Sequence, residues 1–186
     1  MKDIGITGTR NSLNLEQLFS LREVLLAFYS ISEQTVFHHG DCIGADDSGA
    51  LIAKNIGYVT HGHPPTEEKF RAFFKSINEE KPKTYLERNR DIVDISEVLI
   101  SIPRKEVSLK DILLCKNNTR RGGTYYTTRY ALKNRKRVCI IQPNGYVLYG
   151  TAISNTETQV YYYGQTFSEF MRRRQDKYAS PLHKVQ

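Results

Sequence analysis

The sequence of 186 residues lacks several features that mark specialised classes of protein. No apolar run approaches the length of a membrane span, and the residues after Met1 form no signal-peptide core. We therefore expect no membrane partner and a cytoplasmic location. The three cysteines, Cys42, Cys115 and Cys139, are odd in number and scattered, which disfavours disulfides and fits a reducing compartment. Internal repeats and long low-complexity linkers are also missing.

Positive charge is in excess, with 27 Lys and Arg against 20 Asp and Glu and a formal net charge of +7. The excess gathers in three clusters, at 120–121, 135–137 and 172–174. A basic balance of this kind favours an anionic partner, either a nucleotide or a nucleic acid. A solvated basic surface without a partner is the alternative reading of the same clusters.

Short apolar runs alternate with helical patterns along most of the chain, which predicts an α/β fold. We expect strands at 2–7, 34–38, 58–61, 98–102 and 137–142. We expect helices at 15–29, 44–55, 67–77, 86–96 and 124–134. Apolar, β-branched strands joined by helices predict a doubly wound, Rossmann-like parallel sheet that is covered on both faces.

The pattern changes after Pro143. Segments 145–150 and 159–163 are typical of a hairpin or of paired edge strands, and 166–177 is typical of a helix. We therefore expect a nucleotide-binding domain at 1–145 and a small β/α extension at 146–186 in the same compact unit. The polar stretch 104–119 is expected to contain a short helix or a lid.

Distinctive residues follow several of the predicted strands. Gly8-Thr9-Arg10 follows the first strand, His39-Gly40-Asp41 the second, and His61-Gly62-His63 the third. Gly122-Gly123-Thr124 opens the helix that precedes the last core strand. Ligands of open parallel sheets lie beyond the carboxyl ends of the strands, so these motifs are expected on one rim. Glycines, a hydroxyl and an arginine at a helix start suit a phosphate.

Two other readings concern the histidines and the helix at 86–96. His38, His39, Asp41, Cys42, His61 and His63 include types of residue that bind metals, but neighbours in a strand point to opposite faces, and we predict no metal and no cofactor. Arg88 and Asn89 are adjacent and cannot share one helix face, so we expect one residue to reach the rim while another pairs with Glu87 or Asp91. A solvated salt-bridge face is the alternative.

The four ordered motifs resemble the SLOG superfamily of Rossmann-like nucleotide-binding proteins. The resemblance rests on Gly8-Thr9-Arg10, on 39–46 with its His-Gly-Asp-Cys-x-Gly-Ala-Asp pattern, on Arg88-Asn89-Arg90, and on Gly122-Gly123-Thr124. It covers residues 2–145 and is strongest toward the YspA-like proteins. More distant similarity extends to the LOG phosphoribohydrolases, the molybdenum-cofactor carrier proteins and DprA.

The resemblance implies a ligand site and, with less support, catalysis. The implied ligand-binding residues are Gly8, Thr9, Arg10, His39, Gly40, Asp41, Gly44, Asp46, His63, Arg88, Asn89, Arg121, Gly122, Gly123 and Thr124. LOG enzymes use an arginine, matched by Arg88, and a glutamate whose position near Thr127 holds no acid in this chain. We therefore expect binding rather than catalysis, with Arg88 and Asp41 as catalytic residues if the protein is an enzyme.

Three functions follow. The first is a nucleotide-binding protein that holds a nucleotide, ADP-ribose or a cyclic nucleotide signal, for example as a sensor or sponge in phage–bacteria defence. The second is LOG-like cleavage of a nucleoside 5′-monophosphate at its N-glycosidic bond. The third is DprA-like nucleic-acid binding through Arg172-Arg173-Arg174 and Tyr161-Tyr162-Tyr163, although these tyrosines also suit a subunit contact. We expect a homo-oligomer, either a dimer or a tetramer.

Overall fold

A computed structural model describes residues 2–30, 34–114, 122–167, 169, 171 and 172. They form an eight-stranded sheet in the order β4-β3-β2-β1-β5-β6-β7-β8, parallel from β4 to β6 and antiparallel from β6 to β8. The strands are β1 (Lys2–Gly8), β2 (Thr35–His39), β3 (Val59–Gly62), β4 (Asn78–Glu79), β5 (Val98–Ile102), β6 (Arg137–Ile141), β7 (Val147–Ala152) and β8 (Thr158–Gly164). The α/β, Rossmann-like prediction is therefore confirmed.

Among the described residues, five α-helices lie between the first and the last strand, and local signals explain where two of them begin. They are α1 (Leu15–Phe28), α2 (Ala45–Ile56), α3 (Tyr85–Ile95), α4 (Leu109–Leu114) and α5 (Gly122–Lys133). Asn14 forms a capping box with Gln17 before α1, and Thr84 forms one with Glu87 before α3. Each box satisfies backbone N–H groups that a helix start leaves without partners.

The sheet separates two apolar cores. Along β5, Leu99 packs with Ile92 and Leu132 on one face, whereas Ile100 packs with Leu25 and Phe37 on the other. This alternation follows from the two-residue period of a strand. Helices α1 and α2 cover one face, and α3, α4 and α5 cover the other. Among the described residues, no helix is long and apolar enough to cross a membrane.

The structure departs from the predicted elements at 67–77. The amphipathic pattern predicted a helix, but the chain forms only a 3-10 turn at Glu68–Phe70. Phe73 has a φ of 54°, which a helix cannot contain. The chain leaves the sheet after β3 and returns to its edge as β4, and a bridge joins Pro65 to Lys83 on either side of this excursion. The expected hairpin is confirmed as β7 and β8, and the short helix after residue 104 as α4.

The sheet also determines where a ligand can bind. The chain runs outward from β1 to β2 and β3, then returns to the other side of β1 to form β5. Between β1 and β5 the order reverses, and the loops that follow these strands diverge to opposite faces. This switch point leaves a crevice at the carboxyl ends of the strands, where Gly8 pairs with Ile102.

Glycine at position 5 is required by packing, because a Cβ atom there would overlap Ser96 Oγ and lie 2.8 Å from Ile92 Cγ2. We expect Gly5→Ala to lower the free energy of unfolding by about 1–3 kcal/mol, measured by urea denaturation. Gly123→Ala is the matched control, because a Cβ there meets nothing within 4 Å. An equal loss in both variants would contradict the packing described.

Candidate functional site

A cleft of about 340 Å³ lies at the switch point, at the carboxyl ends of β1 and β5. It is lined by the end of β1, by the connections that follow β1, β2 and β5, and by the starts of α2, α3 and α5. The lining residues are Thr7, Gly8, Thr9, Arg10, Asn11, Cys42, Asp46, Tyr85, Leu86, Arg88, Asn89, Arg104, Gly123 and Thr124. The loop after β1, the turn before α2 and the start of α5 therefore converge, whereas the fourth motif predicted for this rim, His61-Gly62-His63, is absent from the lining.

A buried ion pair forms the floor of the cleft. Arg88 extends from α3 to the turn after β2, where Nη1 lies 3.5 Å from Asp46 Oδ2 and Nη2 lies 3.0 Å from Cys42 Sγ. Asp46 Oδ2 also accepts hydrogen bonds from the backbone N–H groups of Gly40 and Cys42. Gly40 is necessary here, because any Cβ would overlap the Arg88 guanidinium.

Burial changes the acidity of two groups beside Arg88. It raises the pKa of the Asp46 carboxyl, although the Arg88 charge opposes the rise. Burial also raises the pKa of the Cys42 thiol to about 11, so Cys42 stays protonated at neutral pH and is a poor nucleophile. Arg88 Nε is buried and, within the described part of the chain, has no hydrogen-bond partner.

The start of α5 forms a second wall that is open to the cleft. Gly122 has a φ of 71°, and a Cβ built on Gly122 or Gly123 meets nothing within 4 Å. The Thr127 hydroxyl donates to the Gly123 carbonyl and accepts from Asn89 Nδ2, which fixes the first turn. Free backbone N–H groups at the positive end of a helix are suited to an anion.

The loop after β1 is held against the start of α2. The backbone N–H of Ala45 donates to the Thr9 carbonyl at 3.0 Å, and Thr9 N–H donates to the Ile102 carbonyl at 2.9 Å. Gly44 has a φ of 87°, and a Cβ there would lie 2.5 Å from Thr9 O. Gly44 therefore permits the close approach of two loops rather than contact with a ligand.

Eight of the predicted ligand residues line the cleft: Gly8, Thr9, Arg10, Asp46, Arg88, Asn89, Gly123 and Thr124. Gly122 begins the helix beside them, and Arg121 lies outside the described residues. The side chains of His39, Asp41 and His63, and the glycines at 40 and 44, are absent from the lining.

Asp41 has a structural partner instead. Its carboxylate accepts hydrogen bonds from Arg71 Nε at 2.7 Å and from the backbone N–H of Phe74 at 2.9 Å. Its backbone carbonyl accepts from Ala72 N–H. Asp41, which has a φ of 53° and is 2% exposed, therefore fastens the loop after β3 to the turn after β2.

Arg88 and Asn89 differ from the expectation that only one of them reaches the rim. Both line the cleft and both are buried, because Arg88 reaches toward the turn after β2 while Asn89 reaches across to Thr127 on α5. The charged residues on either side of them have other partners. Glu87 caps α3, and Asp91 pairs with Lys83.

His38, His61 and His63 pack against one another on one side of β2, and His39 lies on the other side. His38 Nε2 lies 2.9 Å from Asp3 Oδ1, and His38 Nδ1 lies 3.1 Å from His63 Nε2. On the other side of the strand, His39 Nε2 lies 2.7 Å from Ser76 Oγ. Among the described residues, no group of three or more His, Cys, Asp or Glu is arranged to hold a metal ion.

Sequence reasoning missed six lining residues: Thr7, Asn11, Cys42, Tyr85, Leu86 and Arg104. Tyr85 had a usable signal, because it precedes Arg88 by three positions and therefore shares its side of the helix. Arg104 had one as well, since it follows directly after the apolar strand β5.

The predicted nucleic-acid surface is only partly described. Tyr161 and Tyr162 pack against the core, whereas Tyr163 is 55% exposed. Arg173 and Arg174 lie outside the described residues. Nucleic-acid binding and oligomer formation stay predictions.

Among solved structures, the chain is similar to the molybdenum cofactor binding protein from the phototrophic bacterium Rippkaea orientalis. The two share 19% identity over 76% of each chain, with a TM-score of 0.52. The X-ray structure of TM1055, a structural genomics target, shares 16% identity over 74% of this chain and 72% of that one, with a TM-score of 0.47. No family model and no curated protein matches the sequence. The likeness to the molybdenum cofactor binding protein supports the Rossmann-like fold.

Two buried histidines predict acid sensitivity. Burial lowers the pKa of His39 to about 4 and of His63 to about 3, whereas an unfolded histidine titrates near 6.5. The unfolded chain therefore binds more protons below pH 6.5, and stability falls as pH drops from 6.5 toward 4. We expect a loss of a few kcal/mol between pH 7 and 4 in urea titrations.

The control is the double variant His39→Gln/His63→Gln. Its loss of stability over the same pH range should be clearly smaller, because neither position can take up a proton. An unchanged pH profile in the variant would show that other groups cause the acid sensitivity.

Proposed function

We propose that the cleft at the switch point binds a phosphorylated ribose ligand of the nucleotide class. The observation that carries this proposal is the meeting of an open helix start, Gly123-Thr124, with three arginines on one small cleft. Helix starts and arginines are the two protein groups that most often bind phosphate.

Charge supports an anionic ligand. Within the described part of the chain, the lining contains Arg10, Arg88 and Arg104 but a single acid, Asp46, whose charge is offset by Arg88. The buried Arg88 Nε offers a hydrogen bond that no described residue takes. A phosphate oxygen in the cleft would satisfy it, which removes the cost of an unpaired buried donor.

Size and fold agree with a small molecule. The cleft volume of about 340 Å³ falls within the range of about 300–1,000 Å³ typical of small-molecule sites. A fold neighbour is named as a molybdenum cofactor binding protein, so this architecture holds a small ligand elsewhere. ADP-ribose and cyclic nucleotide signals belong to the proposed class, and a role as sensor or sponge would rest on analogy.

Isothermal titration calorimetry with AMP and ADP-ribose tests the proposal. Arg104 is exposed and lines the cleft, so Arg104→Ala should weaken binding about tenfold. Arg137→Ala is the control, because Arg137 is equally exposed but begins β6 at the opposite end of the sheet. Absence of binding by both compounds, or an equal effect of the two variants, would refute the proposal.

Hydrolysis of the N-glycosidic bond is the second candidate, and Asp46 favours it. Among the described residues, Asp46 is the one acid in the cleft lining, and burial raises the pKa of its carboxyl above that of an exposed aspartate, which is the direction a general acid needs. A protonated carboxyl can transfer its proton to a leaving base while water adds to C1′ of the ribose. Asp41, the acid expected from the sequence, is bound to Arg71 instead.

Chromatography of AMP incubated with the protein separates the two functions. An enzyme would release adenine and ribose 5-phosphate, and Asp46→Asn would lower the rate of release at least about a hundredfold. A binding protein would return intact AMP with either form. Release that continues unchanged in Asp46→Asn would exclude Asp46 as the acid.

A further inference from the structure

A series of alternating aromatic rings and guanidinium groups leads from the loop after β3 into the cleft. The carbon at the centre of the Arg10 guanidinium lies 4.2 Å from the ring centroid of Phe70 and 4.7 Å from that of Tyr85. On the far side, the guanidinium of Arg88 lies 5.9 Å from the Tyr85 ring. The series therefore runs from Phe70 through Arg10 and Tyr85 to the floor of the cleft.

The two rings are fixed by the backbone. The Tyr85 hydroxyl donates to the Glu67 carbonyl at 3.2 Å, and Tyr85 begins α3 directly after its capping box. Phe70 ends the 3-10 turn, and its carbonyl accepts from Ile43 N–H at 3.0 Å. The Asp41 contacts with the loop hold this turn in place.

Arg10 is held much more weakly. Its side chain is exposed, and within the described part of the chain its guanidinium has ring contacts but no hydrogen bond or ion pair. Cation–π contacts at exposed sites are weak, so a better planar group can replace the guanidinium. Phe70 is absent from the cleft lining and has Arg10 against its ring, so departure of Arg10 would uncover it.

We propose that Phe70 and Tyr85 form a subsite for the nucleobase of the ligand, which displaces the Arg10 guanidinium from between them. This inference rests on the proposed function and extends it from the phosphorylated ribose to the base. Stacking on aromatic rings favours every flat heteroaromatic ring, so the subsite selects nucleotides over sugar phosphates. The released Arg10 remains in the cleft lining, where its charge can face the phosphate.

Calorimetry with AMP and ribose 5-phosphate on the full chain tests the base subsite. Wild type should bind AMP at least about tenfold more tightly than ribose 5-phosphate, because only AMP has a ring to stack. Tyr85→Leu and Phe70→Leu should each reduce this preference several-fold while changing the affinity for ribose 5-phosphate little.

Two variants serve as controls. Tyr85→Phe keeps the ring and should keep the preference. Tyr126→Leu removes a ring that contacts Arg90 outside the cleft and should also keep it. Circular dichroism of each variant shows whether it folds.

The outcomes separate the two proposals. If ribose 5-phosphate binds as tightly as AMP, or if the preference persists in both leucine variants, the base subsite is refuted and the phosphate site stands. If neither compound binds wild type, the proposed function fails, and the base subsite fails with it.

Discussion

The buried contact between Arg88 and Asp46 is the interaction on which the site depends. It connects α3 on one face of the sheet to the turn that begins α2 on the other, directly beneath the cleft. Burying two charges carries a desolvation penalty that can exceed their mutual attraction. A buried ion pair is therefore not explained by its contribution to folding stability alone. Its value here lies in placing an arginine with an unused Nε at the floor of an open cleft.

Glycines determine how closely the elements around this pair approach. Gly40 leaves room for the guanidinium, Gly8 and Gly44 allow the loops after β1 and β2 to touch, and Gly123 leaves the start of α5 open. The first three are required by neighbouring protein atoms, whereas Gly123 has no such neighbour. Packing therefore explains the glycines at 8, 40 and 44, whereas Gly123 is exposed to solvent and packing does not require it.

Much of the fold could be predicted from the sequence, because its apolar periods are strong. Val98–Ile102 and Arg137–Ile141 are short runs rich in buried β-branched residues, and both are central strands. The prediction was wrong at 67–77, where Phe70 and Phe74 have helical spacing. In the structure this segment is irregular, and the two rings point to different partners. Phe70 contacts Arg10, and Phe74 contacts His39. Local spacing could not reveal that Asp41 binds Arg71, thirty residues further along the chain, and so turns away from the cleft while Asp46 faces it.

The stretch between Pro65 and Lys83 closes on itself at its base. Its two ends meet at a bridge, and Thr66 N–H donates to the Lys83 carbonyl at 2.9 Å. Within it, β4 pairs with β3 at the edge of the sheet, whereas the part before β4 lies outside the sheet. The free energy of closing such a loop changes slowly with its length. Changes in the part before β4 that keep Arg71 as its anchor would therefore alter the surroundings of Phe70 without changing the strands beneath the cleft, in evolution or in the laboratory.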